Sequence, residues 1–232
     1  GDAATLQGTL YPNFLSGSAQ IASRISGSFT SGFGYDGLIQ TTPGGVWSAG
    51  GNLTRTAYLQ SSGIAGTGTK SAALMVGGRG NAQTEEYDGT SFTEKNDTSE
   101  VKHTSAMVGT TEAAVIFGGS TTHVVGNAVV NTEEWNGTNW SEIAANNTFR
   151  SSFGIDGSHN SAIMVGAYPS PAWSCAETWD GTSWTEVSDL GTARQTEAQT
   201  GTSATAAVAS GGDKQPGVAS NTEEFTASLT TT

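Results

Sequence analysis

The sequence predicts an all-β protein built from copies of a four-stranded unit. Three observations carry that expectation. A motif returns as TEEYDGTSFTE at 84–94, TEEWNGTNWSE at 132–142 and AETWDGTSWTE at 176–186, with a shortened copy, TEEF, at 222–225. The second ring position of the unit falls at Trp47, Phe92, Trp140 and Trp184, spaced by 45, 48 and 44 residues, a period that belongs to propeller blades of four strands. Finally, 32 glycines and only 35% hydrophobic residues suit short strands and many turns better than helices.

In chain order, residues 1–45 do not repeat and read as an irregular N-terminal arm. Within it Ser18 is a candidate N-cap for a short amphipathic helix carrying Ile21, Ile25 and Phe29 on one stripe. That stripe could dock on the main domain or on a neighbouring chain. Residues 46–232 form the repeat domain. About ten residues after each ring comes a basic residue, Arg55, Lys102, Arg150 or Arg194, assigned to a first strand. An apolar run ending in glycine follows: SAALMVGG (71–78), AAVIFGG (113–119), SAIMVGA (161–167) and TAAVASGG (205–212). Such continuous runs between Gly-rich turns read as strands covered on both faces.

The third and fourth strands come from the motif itself. Asp88-Gly89, Asn136-Gly137 and Asp180-Gly181 are expected to form two-residue turns with positive φ at both positions. Tyr87 then pairs with Thr90, Glu85 lies opposite Phe92, and Glu85, Tyr87 and Phe92 share a face by the period-2 alternation of a strand. The last copy lacks a following aromatic, whereas the strand around Trp47 has no preceding partner. Pairing the two closes a ring of four blades and removes the exposed sheet edges. A fifth blade would need residues 21–46, which lack an apolar run ending in paired glycines.

Charge narrows the partners. A net charge of −12 repels phosphate backbones and anionic lipid, so neither nucleic acid nor a membrane is an expected partner. No apolar run approaches the ~18 residues of a spanning helix. The single cysteine, Cys175, excludes an internal disulfide and a cysteine-built metal site, and is expected to be a buried, inert thiol.

A basic strand, an apolar strand ending in Gly-Gly, then Tyr/Trp-Asp and a following Trp, all at this period, resembles the kelch repeat of β-propellers over residues 46–225. The third copy departs from it with Gly166-Ala167 and Ala176. The local wording, TEEWNGT with Gly-Thr-rich connectors and the upstream SGSAQIASRISGSFTSGF, looks like kelch-type virion proteins of marine tailed bacteriophages, notably those of cyanobacteria. The resemblance implies a non-enzymatic component of the particle surface, a head decoration or a tail-fibre part. The arm would then contact other virion proteins, a homo-oligomer being compatible with it, and the domain would face a host glycan or receptor. The alternative expectation is a lectin-like propeller outside any virion.

Glu85, Glu133, Glu177 and Glu223 are the most regular carboxylates in the chain, and the four basic residues accompany them in register. An acidic ring for metal or sugar is one reading; pairing with Arg55, Lys102, Arg150 and Arg194 is the favoured one, because unpaired buried charge is costly. The motif WDGTSW also resembles the sialidase Asp box, but Asp180 and Gly181 are adjacent, one residue too few. His103, His123 and His159 fall in connectors without metal-ligand spacing, and each is expected in solvent. No catalytic residue, metal or cofactor is assigned. The variable connectors supply the candidate contacts: His123, Tyr168 and Trp173.

Overall fold

The structure is a computed structural model that describes residues 47–54, 64–78, 80–122, 127–169, 173–195, 198–214 and 216–228. The chain divides into two units, Gly1–Ser48 and Ala49–Thr232. All the described strands lie in the second. The helix expected behind Ser18, together with Arg55 and His123, falls outside the described residues.

Four antiparallel sheets follow one another along the chain, each joining strands in sequence order, and no helix occurs among the described residues. The first sheet holds β1 (Ile64–Thr69), β2 (Ala72–Gly77), β3 (Thr84–Tyr87) and β4 (Phe92–Lys95). The second holds β5 (Ala106–Gly109), β6 (Ala114–Phe117), β7 (Thr132–Trp135) and β8 (Trp140–Ile143). The third holds β9 (Gly154–Ser158), β10 (Ser161–Val165), β11 (Ala176–Trp179) and β12 (Trp184–Val187). The fourth has three strands, β13 (Ala198–Ser203), β14 (Ala206–Ser210) and β15 (Thr222–Thr226). The first strands of successive sheets lie side by side, β1 by β5, β5 by β9 and β9 by β13. The arrangement is all-β and propeller-like.

Each of those first strands carries a glycine near its hairpin, Gly68, Gly109, Gly157 or Gly201, for a steric reason. In β9, Gly157 has φ +131°, and a Cβ there would stand 2.2 Å from the Ser161 carbonyl oxygen. Only glycine fits so close a hairpin. The basic residues do not lie in these strands, contrary to expectation: Lys102, Arg150 and Arg194 sit in the linkers that lead into β5, β9 and β13. Their carbonyls explain the paired glycines of the preceding sheet. Gly78 donates to Lys102 O at 2.9 Å, Gly119 to Arg150 O at 2.8 Å and Ala167 to Arg194 O at 3.2 Å. Ala167 takes φ +152° to do so.

The hairpin register also differs from expectation. Tyr87 pairs with Phe92, Trp135 with Trp140 and Trp179 with Trp184, so the loops hold four residues. In each, the side chain of the first residue takes the place of a tight turn. Asp88 Oδ1 accepts from Thr90 N and Ser91 N, both at 2.8 Å; Asn136 and Asp180 repeat the contact. Only the glycine has positive φ, +94° at Gly89, so no two-residue turn of the expected type forms. The shift is two residues, an even number, so the pleat preserves the shared face of Glu85, Tyr87 and Phe92.

Apolar side chains fill the spaces between sheets. Leu74 and Val76 meet Met107, Ala114, Ile116 and Trp135 between the first two sheets. Between the second and third, Val108, Val115 and Phe117 meet Ala162, Met164, Trp179 and Trp184. The β6 run is buried throughout and β10 nearly so, but β14 alternates. Its Ala207 and Ala209 face the third sheet, while the fourth sheet has no described sheet on its other side. Closure around Trp47 is likewise not what the described residues show. β15 pairs with β14 alone, and Trp47 lies outside any strand at 103% exposure. Among the described residues the fourth sheet ends at β15.

Candidate functional site

The repeated Glu side chains are joints. Glu177 is fully buried and its two oxygens are saturated. Oε1 accepts from Arg150 Nε at 3.2 Å, Arg150 Nη2 at 2.5 Å and Thr148 N at 3.2 Å, and Oε2 accepts from Asn147 N and Nδ2 at 2.8 and 2.9 Å. Arg150 Nη1 donates to the carbonyls of Gly166 at 3.1 Å and Cys175 at 2.8 Å. One guanidinium thereby ties the end of β10 to the start of β11. Its fork geometry suits this role, presenting donors to carboxylate and carbonyls together.

The fourth sheet repeats the joint: Arg194 binds Glu223 and donates to Gly211 O and Asn221 O at 3.0 and 2.9 Å. In the second sheet a lysine does the work. Lys102 Nζ lies 3.2 Å from Glu133 Oε1, and the Asn131 side chain supplies the further acceptor that a single ammonium can reach. In the first sheet Glu85 accepts from Thr54 N at 2.8 Å and from the Thr54 hydroxyl. Glu177, so occupied, has no lone pair to offer a metal or sugar. Among the described residues no group of three or more His, Cys, Asp or Glu is placed to hold a metal ion.

A spacing that sequence reasoning missed unites the four joints. The carboxylate of each sheet accepts a backbone N–H from the linker leading into that sheet: Thr54, Ser99, Asn147 and Gly191. Each donor stands seven residues after a ring, Trp47, Phe92, Trp140 or Trp184. Backbone donors leave no residue-type signature, but the constant count was available in the sequence.

Glu223 gives the joints a measurable pH signature. Burial pushes its carboxyl up, but the N–H groups of Gly191 and Thr192 and the Arg194 guanidinium outweigh this and hold it below the usual carboxylate range. The unfolded chain therefore binds the proton more tightly than the folded one. The stability this supplies is present above the ordinary glutamate value of about 4.3 and is lost as pH falls through the lower folded value. Asp88 and Asp180 are also lowered, by the N–H groups of Ser91 and Thr90 and of Ser183 and Thr182. The urea midpoint is expected to fall with acidification below that value, and less steeply in Glu223→Gln; equal slopes would remove Glu223 from the account.

The connector between β10 and β11 brings two predicted contact residues together. Tyr168 and Trp173 are half-buried, their ring centroids 6.5 Å apart at 42°. The linkers of two sheets hold the connector's ends. Ser151 exchanges backbone hydrogen bonds with Tyr168 at 2.8 and 2.9 Å, and Arg194 N donates to Trp173 O at 2.7 Å. Trp173 Nε1 is buried without a hydrogen-bond partner among the described residues. Nearby Cys175 is half-buried rather than buried. Burial pushes its thiol up, as do the neighbouring carboxylates, against an opposing Arg150, so the reactive thiolate is disfavoured.

His103 corrects the expectation that every histidine is solvated. It is buried at 4% exposure, its backbone paired with Ser120 in both directions at 3.0 and 2.7 Å. The sequence marks it only as the residue after Lys102; the linker that buries the lysine buries its neighbour too. His159 is half-buried in the β9–β10 turn, where its carbonyl accepts from Trp179 Nε1 at 2.9 Å.

No protein-family model and no curated protein matches the chain. Among solved structures, one titled "Structure of YjhT" is similar, with a TM-score of 0.51 at 12% sequence identity. The match covers 61% of this chain and 48% of that one, so it spans under half of that structure's length. At such identity the similarity is one of fold: this chain shares with that structure an arrangement of strands, and the chemistry must be argued from its own residues.

Proposed function

We propose that this chain is a non-enzymatic surface component of a phage particle: a kelch-type propeller of four blades that presents its connectors outward. Residues 1–45 attach it to other virion proteins. The phage assignment rests on the resemblance of the repeat wording, TEEWNGT with its Gly-Thr-rich connectors. The observation that supports a presenting rather than a catalytic role is the state of the repeated charges. Lys102, Arg150, Arg194, Glu133 and Glu177 are all buried in joints, whereas the aromatic pair Tyr168–Trp173 stands in a connector clamped at both ends.

Immunolabelling of particles in the source material tests this reading. Label on a head lattice, a fibre or a tail tip supports it. Unlabelled particles beside abundant free protein would overturn it and favour a lectin-like propeller. That second reading draws on the same pair, since an aromatic face beside an unpartnered indole N–H suits a sugar ring and its hydroxyls. A glycan screen against the parent and Trp173→Ala separates the two: binding abolished by the substitution assigns the connector to sugar, and turnover of any glycoside by the pure protein removes the non-enzymatic role.

A further inference from the structure

One hairpin carries a reactive pair where its counterparts carry an inert one. The loops that join third and fourth strands in the first three sheets begin with Asp88, Asn136 and Asp180, each followed by glycine. Asn136-Gly137 is the one Asn-Gly step in the sequence. Asparagine is a thermolabile residue, and glycine after it puts no side chain in the way of its own backbone nitrogen. Asn136 is exposed, so water reaches it.

The loop also activates that side-chain amide. Asn136 Oδ1 accepts from Thr138 N at 3.0 Å and from Asn139 N at 2.9 Å. Two N–H groups aimed at one carbonyl oxygen draw charge from Cγ and stabilise the oxyanion that forms when a nucleophile adds there. Because Oδ1 reaches past Gly137 to the next two amides, Cγ is folded over the Gly137 peptide. Gly137 N itself makes no hydrogen bond among the described residues. The donors are held in place from outside the loop: Asn96, in the linker that leaves the first sheet, donates to Thr138 O at 3.0 Å and to Asn139 Oδ1 at 2.7 Å. Asp88 and Asp180 have matching donors. There the N–H groups favour the ionised carboxyl, and a carboxylate is a poor electrophile.

We propose that Asn136 deamidates within the folded protein and that the hairpin directs the product to aspartate. Gly137 N bonds to Cγ, the Cγ–Nδ2 bond breaks, and the Gly137 proton leaves with the side-chain nitrogen as ammonia. Water then adds to the cyclic imide. Opening at the Cγ–N bond restores the Gly137 N–H and leaves a carboxylate where the amide stood. That group keeps the same two donors, as in Asp88 and Asp180, and accepts more strongly because it is charged. Opening at the main-chain carbonyl instead routes the backbone through Cγ and lengthens the loop by a carbon. The loop ends resist this. Trp135 pairs with Trp140, Asn136 N donates to Asn139 O at 3.2 Å, and the buried Trp135 ring is fixed by Nε1 on Thr111 O at 2.9 Å. The product is one charge more negative than the formal −12 of the sequence, and all three loops then begin with aspartate.

The full chain, incubated folded and in urea at mildly alkaline pH, tests the site. Peptide mass spectrometry with electron-transfer fragmentation locates the new acid and separates aspartate from isoaspartate. The folded chain is expected to convert at residue 136 while the exposed Asn139 and Asn160 remain amides. Its ratio of aspartate to isoaspartate is expected to be at least about fivefold above that of the unfolded chain, the weight of one hydrogen bond. A folded chain that keeps its amide while the unfolded one converts overturns the site, because the loop then protects Asn136. Equal ratios in the two overturn the direction by the hairpin. Asn136→Asp is expected to match or exceed the parent's urea midpoint at neutral pH, and a lower midpoint overturns the fit of the product.

Discussion

Replacing Arg150 with methionine is expected to cost about 3–5 kcal/mol, the range for breaking a buried ion pair on one side. The arginine is fully buried and so is its partner Glu177. Methionine fills part of the space but leaves a carboxylate held only by Asn147 and Thr148, and two carbonyls, Gly166 and Cys175, without their shared donor. The cost is therefore chiefly that of buried groups left unpaired. Urea unfolding measures it, and a midpoint equal to the parent's would refute the joint. The second sheet predicts the rescue. Lys102 succeeds there with the help of Asn131, and Cys175 occupies the matching place in the third sheet, two residues before the glutamate. Arg150→Lys alone should remain impaired, and Arg150→Lys with Cys175→Asn should recover part of the loss.

Trp179→Ala is expected to cost about 3–5 kcal/mol by a different mechanism, the loss of a large buried side chain and the cavity it leaves. Trp179 is 1% exposed and sits between the second and third sheets with Phe117, Met164 and Trp184. Its ring packs beside Trp184, which in turn meets Phe117 edge-on. The loss should therefore loosen both sheets at once. Trp179→Phe keeps most of the packing but gives up the hydrogen bond to His159 O, worth about 1 kcal/mol. Tyr87→Ala, at the matching but half-exposed position of the first sheet, should cost clearly less. Equal losses at Tyr87 and Trp179 would show that inter-sheet packing is not the source.

Much of this arrangement was legible in the residues. The order of apolar, Glu-Glu-aromatic and aromatic strands follows from side-chain type and period, because burial on both faces demands continuous apolar runs and half-burial demands alternation. The pairing of Glu133, Glu177 and Glu223 with Lys102, Arg150 and Arg194 follows from the cost of burying charge singly. What the sequence conceals is carried by backbone groups. The four-residue loops arise because the Asp88, Asn136 and Asp180 side chains capture two amides, which a dipeptide rule for Asp-Gly does not consider. The spacing of the basic residues suits a strand, but their role is fixed by carbonyls and linker N–H groups that every residue owns. Tyr168 and Trp173 stand out as aromatic residues in a variable connector, but its two clamps, Ser151 and Arg194, are again backbone contacts.

The joints also bear on how the molecule comes apart. Each closes a loop inside one repeat, 27 residues long between Arg150 and Glu177 and 29 between Arg194 and Glu223, while adjacent repeats cohere through apolar packing and scattered hydrogen bonds such as Trp140 Nε1 to Thr84 Oγ1 and Gly201 N to Asp156 Oδ2. Such a chain behaves as a row of nearest-neighbour modules, in which stability is graded by position rather than shared equally. The gradient is already visible in one comparison: Glu177 is sealed, whereas the side chain of Glu223 retains 24% exposure. Opening should begin at the fourth sheet, whose joint is the less sealed, and travel inward along the row.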